Sequence, residues 1–150
     1  MEPLERLVAI QEIKNLKARY FRCIDLKQWV ELADVFTSDI RLNRASVAGD
    51  EAEWLSSREE VLVYMRSALA DVTTCHHGHL PEITIQSTET AKGVWPMEDH
   101  IWLPDSHPLG LRTIHGYGHY IEEYRRECGI WRIAVRELTR IRVDVEPAQA

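Results

Sequence analysis

The stretch Ala91-Lys92-Gly93-Val94-Trp95-Pro96-Met97-Glu98-Asp99-His100-Ile101-Trp102-Leu103 decides the fold. One alternate set holds Ala91, Trp95, Met97, Asp99, Ile101 and Leu103, and the other holds Lys92, Glu98, His100 and Trp102. That is the period of two of a strand with one apolar face. Residues 74–86, 112–125 and 130–145 are likewise rich in Ile, Val, Thr, Trp and Tyr. Turn residues separate the four segments at Ser87-Thr88-Glu89, Pro104-Asp105-Ser106-His107-Pro108 and Glu127-Cys128-Gly129. Three antiparallel hairpins follow.

Before residue 74 the period is helical. Ile10, Ile13, Leu16, Tyr20, Phe21 and Ile24 share one stripe, predicting a helix over 4–24 that Asp25-Leu26-Lys27 ends. Trp29, Leu32, Ala33 and Phe36 recur at i, i+3, i+4 and i+7, predicting a second helix up to Thr37-Ser38-Asp39. Ile40-Arg41-Leu42 reads as a short strand and 45–56 as a loop. Ser57 and Glu60 make a capping-box pattern for a third helix to about residue 70, with Val61, Met65, Ala68 and Leu69 on its stripe. The tail from Glu146 is polar and expected to fray. Helices first and strands second give an α+β class, a curved antiparallel sheet whose concave face three N-terminal helices cover.

The 150 residues suit one domain spanning 1–150, with an ordered core over about 5–145. Lys+Arg 18 against Asp+Glu 24 leaves a net charge of -6, which disfavours nucleic acid and anionic membrane surfaces as partners. There is no apolar run of membrane-spanning length, and Met1-Glu2-Pro3-Leu4-Glu5-Arg6 has no leader pattern, so a cytoplasmic protein is expected. Cys23, Cys75 and Cys128 have no C-x-x-C spacing and are expected to be reduced and buried.

All seven histidines fall between positions 76 and 119, the first pointer to a site. His76 and His77 are adjacent on a strand, so only one of them faces inward, and alternation does not say which. Asp99 shares the apolar face of Trp95 and Met97. A carboxyl there either finds a structural partner or has its ionised form disfavoured, as suits a general acid or base. Asp25, at the negative end of a helix, is either a simple helix stop or the partner of a cationic or donating group on the facing sheet. His115, Tyr117 and His119 share one face of a strand and serve either as ligand contacts or in aromatic packing. Arg132, Arg136, Arg140 and Arg142 alternate with Trp131, Ile133, Val135, Ile141 and Val143, which reads as a solvated face. His77, His79, Glu82 and His119 resemble a cupin metal set. The spacing to Glu82 is too short and the first 70 residues are helical, so no metal is expected.

These segments, in order, carry a resemblance. Ile13-Lys14-Asn15-Leu16-Lys17-Ala18-Arg19-Tyr20 with Asp25 and Trp29, Leu32-Ala33-Asp34-Val35-Phe36-Thr37-Ser38-Asp39, Thr74-Cys75-His76-His77-Gly78-His79, and Gly116-Tyr117-Gly118-His119-Tyr120 with Trp131-Arg132-Ile133 resemble the SnoaL-like branch of the nuclear-transport-factor-2-like superfamily over roughly residues 5 to 145. The resemblance implies a cone-shaped α+β barrel with a deep apolar pocket. The chain is similar to a group of lyases that includes scytalone dehydratase, bile-acid 7α-dehydratase and lindane dehydrochlorinase. That likeness implies no cofactor, a base at His76 oriented by Asp25, a donor at Tyr20, a pocket carboxylate at Asp99 and an arginine at Arg140. It departs from the first of these at Ile24 and from the last at Tyr20, so their two substrates are not expected. The resulting expectation is a cofactor-independent lyase or isomerase acting on an apolar cyclic molecule, with Trp95, Met97, Tyr117, His119 and Arg140 contacting substrate. A non-catalytic binding or oligomerisation domain is the alternative. The same resemblance implies a homo-oligomer, a dimer or trimer through the sheet.

Overall fold

The computed structural model describes residues 1–43 and 53–148. Helix α1 (Pro3–Asp25) starts with proline in its first turn and a reciprocal cap between Glu2 and Glu5. It ends at Leu26, followed by Lys27 in the left-handed region at φ 58°. Its buried stripe of Ala9, Ile13, Leu16, Lys17, Tyr20, Cys23 and Ile24 faces the sheet. Helix α2 (Trp29–Ala33) is shorter than the pattern predicts, because Phe36 opens strand β1 (Phe36–Asn43). The Val35 carbonyl accepts from the Ile133 amide, so sheet pairing takes over from the helix while Phe36 stays buried. Of the predicted loop over 45–56, residues 45–52 lie outside the described residues, and Trp54–Leu55 form a short strand β2 on Leu42 and Asn43. Ser57 caps α3 (Arg58–Leu69) by accepting from the Glu60 amide, while the Glu60 carboxylate accepts from Ser56.

The predicted strand over 74–86 is two strands, β3 (Thr73–Gly78) and β4 (Glu82–Ile85), which flank one edge of β5 (Thr90–Trp102) end to end. Strands β6 (Leu111–Glu127) and β7 (Ile130–Pro147) continue the sheet. The order is β2-β1-β7-β6-β5-β3, with β4 also on β5, and the sheet does not close. It is mixed rather than purely antiparallel, since β1 runs parallel to β7. The tail does not fray at Glu146 and Pro147, which pair with Thr113 and Leu111. The α+β class with helices on a large curved sheet is what the change of period predicts.

Two bulges in β7 correct the reading of its arginines. Tyr124 pairs with Ile133 but Glu123 with Val135, leaving Ala134 extra, and Gly118 pairs with Arg140 but Tyr117 with Arg142, leaving Ile141 extra. Each extra residue exchanges the faces. Trp131 and Ile133 point inward before the first bulge, and Arg136, Leu138 and Arg140 point inward after it. Arg132 and Arg142 stay outside.

Gly118 sits where a side chain has no room. A Cβ there would lie 1.8 Å from the Thr139 carbonyl oxygen, a backbone atom that cannot swing away. Gly118→Ala is therefore expected to destabilise the fold by about 1–3 kcal/mol or more, the range for overpacking, measured by urea denaturation.

Candidate functional site

Asp25 is the last residue of α1, and β3 runs past it. The Asp25 carboxylate accepts from the His76 backbone amide at 2.9 Å, from His76 Nδ1 at 2.6 Å and from Thr74 Oγ1 at 2.8 Å. Because a carboxylate accepts, the imidazole hydrogen sits on Nδ1 and the Nε2 lone pair is left free. Burial raises the Asp25 pKa, but the hydrogen bonds from the His76 ring, the His76 backbone and Thr74 outweigh it and hold the carboxyl below its usual range. The open choice between neighbouring imidazoles is decided here: the His76 side chain is 7% exposed and lines a cavity, whereas that of His77 is 58% exposed on the other face.

The cavity, about 120 Å³, is bounded by His76, Asp99, Tyr20, Tyr120, Arg136 and Arg140, with Ile24, Met65, Leu69, Ile101 and Leu138 among its apolar walls. His76 and Asp99 are direct cross-strand neighbours. Of the two readings left open for Asp99, the structure has the partnered carboxyl. Arg140 donates to both of its oxygens, at 2.9 and 2.8 Å, in a bidentate pair. With both oxygens accepting, Asp99 is a fixed acceptor, the pocket carboxylate that the resemblance implies rather than a general acid. Gly116, opposite Asp99, makes room for the guanidinium: a Cβ there would lie 2.1 Å from Arg140 Nη1 and 2.4 Å from Asp99 Oδ1. Gly116→Ala is expected to break this pair and lower the melting temperature, because it strands a buried carboxylate and guanidinium.

Arg136, hidden by the bulge from any reading of alternation, is the charged cavity-lining residue that the sequence does not reveal. It is buried and donates through Nη1 to Tyr20 Oη, and Tyr20 also hydrogen-bonds Tyr120. Burial pushes both phenols above their ordinary pKa, so both keep their hydrogens at neutral pH. Behind them lies a second buried set. Lys17 Nζ is 2.5 Å from Glu122 Oε1 and 3.8 Å from the centre of the Tyr120 ring, and the other Glu122 oxygen accepts from Tyr124, which accepts from Trp95. Burial lowers the Lys17 pKa to about 8, with Glu122 opposing the shift and Arg136 adding to it.

Four residues expected to contact substrate lie outside the lining of this cavity. Trp95 and Met97 do share the Asp99 face, but they are core residues outside the cavity lining, Trp95 bonded to Tyr124 and Met97 in contact with Arg140 through sulfur. Tyr117 and His119 pair with Glu98 and Pro96 and so lie on the opposite face of the sheet, where Tyr117 bonds His115 and His115 bonds Glu98. Arg140 does line the cavity. Among the described residues, no three His, Cys, Asp or Glu side chains are grouped to hold a metal. Of the three free thiols, Cys23 is buried as expected, Cys75 is partly buried and Cys128 is exposed. No described helix is long and apolar enough to cross a membrane.

A helix-end aspartate bonded to an inward histidine, inside a curved sheet, is an arrangement to set beside known families. The SnoaL-like domain model matches residues 5–137. The chain belongs to the SnoaL-like family. Solved structures share the fold. The hexachlorocyclohexane dehydrochlorinase LinA type 2 is 18% identical, with a TM-score of 0.80 over 96% of this chain and 93% of that one. A Novosphingobium aromaticivorans protein named as a scytalone dehydratase is 19% identical, with a TM-score of 0.82 over 99% of this chain and 95% of that one. LinA type 3 from Novosphingobium barchaimii is 18% identical, with a TM-score of 0.79 over 96% and 94%. This SnoaL-like chain thus has lyases among its structural neighbours.

Proposed function

We propose that the protein is a cofactor-independent lyase or isomerase that removes a proton from carbon in a small cyclic molecule with an apolar body. The observation that carries this reading is the His76 imidazole, fixed through Nδ1 by Asp25 and lining the cavity beside Tyr20 and Arg136. His76 Nε2 takes the proton. The C–H electron pair forms a new double bond, and either a leaving group departs with its own bonding pair or the proton is returned elsewhere on the conjugated system. Asp25 holds the tautomer and stabilises the imidazolium that forms, while Tyr20 and Arg136 face the charge developing at oxygen. The dehydrochlorinase and scytalone dehydratase names of two neighbours support elimination as the reaction class. The test is solvent exchange: single-ring ketones and β-hydroxy or β-halo acids incubated in D₂O should gain deuterium or lose the leaving group, followed by NMR. Exchange no faster than in buffer across that set would overturn the proposal.

The low Asp25 pKa sets a pH dependence for stability. A carboxyl whose folded-state pKa lies below its unfolded value contributes stability that is present above the unfolded value and lost as pH falls through the folded one. Asp25→Asn should therefore be destabilised relative to the parent at neutral pH, and the difference should shrink in acid, below the usual carboxylate range. Chemical denaturation of both chains across that range measures it.

A further inference from the structure

We propose that Arg136, with the Tyr20 and Tyr120 phenols, forms a carboxylate site in the cavity, so that the ligand is a small organic monoanion with a single-ring body. This deepens the acid–base reading above and rests on it for the reaction, though not for binding.

Charge pairing comes first. Arg140 has both its Nη groups on Asp99, and Asp25 has His76. Arg136 is different. Its cross-strand neighbour is Glu122, but the Glu122 oxygens already accept from Lys17 and Tyr124. Two buried cations, Lys17 and Arg136, thus share one carboxylate. Arg136 has a phenol as its hydrogen-bond partner, its Nε is buried with no partner, and no described carboxylate bonds it. A buried guanidinium without an anion is costly, and a ligand that brings the missing negative charge removes that cost.

The phenols supply a further donor. Arg136 has no lone pair to give, so it must donate to Tyr20. The bond between Tyr20 and Tyr120 uses one phenolic hydrogen, whichever of them donates. The pair therefore has one further hydrogen to donate, and both rings line the cavity. A guanidinium edge and a hydroxyl side by side match the two oxygens of a carboxylate.

Size sets the rest of the ligand. A cavity of about 120 Å³ is of the order of the ~150 Å³ cavity that holds one benzene ring. Ile24, Met65, Leu69, Ile101 and Leu138 offer apolar contact to such a ring.

The test is calorimetric titration of the full chain with benzoate and with its neutral isostere benzamide at pH 7. Benzoate should bind one to one and at least about tenfold more tightly than benzamide, as expected for a charge-assisted pair in a buried site. Arg136→Gln should remove that preference, Arg136→Lys should keep part of it, and Arg132→Gln, on the outer face, should leave it unchanged. Equal affinity for the two probes, absence of benzoate binding, or an undiminished preference in Arg136→Gln would each overturn the proposal. If Arg136→Gln does not fold, the comparison of benzoate with benzamide in the unaltered chain decides. His76→Gln should still bind benzoate, so failure of the base assignment and failure of the carboxylate site are read separately.

Discussion

Replacing His76 with alanine is expected to lower turnover by about 10²–10⁴-fold, the usual contribution of a positioned general base. Asp25→Asn should fall short of that loss yet follow it. Asparagine keeps the shape and can still bond Thr74, but it removes the negative charge that fixes the Nδ1–H tautomer and steadies the imidazolium. The two changes act on one unit, so His76→Ala with Asp25→Asn should be little worse than His76→Ala alone. Steady-state rates on a substrate identified by the deuterium screen measure this. An Asp25→Asn enzyme with unchanged rate and unchanged pH profile would leave Asp25 with a structural role only.

Lys17→Met should be among the most destabilising single substitutions in the chain, by about 3–5 kcal/mol, because it leaves a buried carboxylate without its cation. Both partners of the Lys17–Glu122 pair are fully buried, so water cannot substitute for the lost ammonium. The diagnostic experiment is the double change. Lys17→Met with Glu122→Gln removes both charges while Gln can still accept from Tyr124, and urea denaturation should show most of the stability regained. If the double change is as unstable as the single one, the loss comes from packing against Tyr20, Phe21 and Tyr120 rather than from charge.

Periodicity carried the architecture well where a segment had one face buried throughout. Helix α1, the cap at Ser57 and the alternation over β5 and β6 could all be read from residue order, whereas the place of Asp25 beside His76 came only with the family resemblance. Three things could not. Helix α2 and the start of β1 share apolar residues that satisfy either period, and only pairing with β7 separates them. The position of β1 beside β7 is a contact across 90 or more residues that no local pattern encodes, so its parallel direction was invisible. The inward arginines were hidden for a different reason. Alternation is a counting rule, and Ala134 and Ile141 change the count without any glycine or proline to mark the place.

The bulge at Ala134 has a consequence for how cavities of this kind diversify. Were Ala134 taken into a regular ladder instead of bulging out, Val135, Glu137 and Thr139 would face the interior in place of Arg136, Leu138 and Arg140, exchanging a cationic lining for an acidic one with every side chain unchanged. The chemistry of the cavity wall is written in the pairing of the strand as well as in its letters. Shifts of ladder register at this place, as well as substitutions, are where the ligand preferences of related chains should be sought.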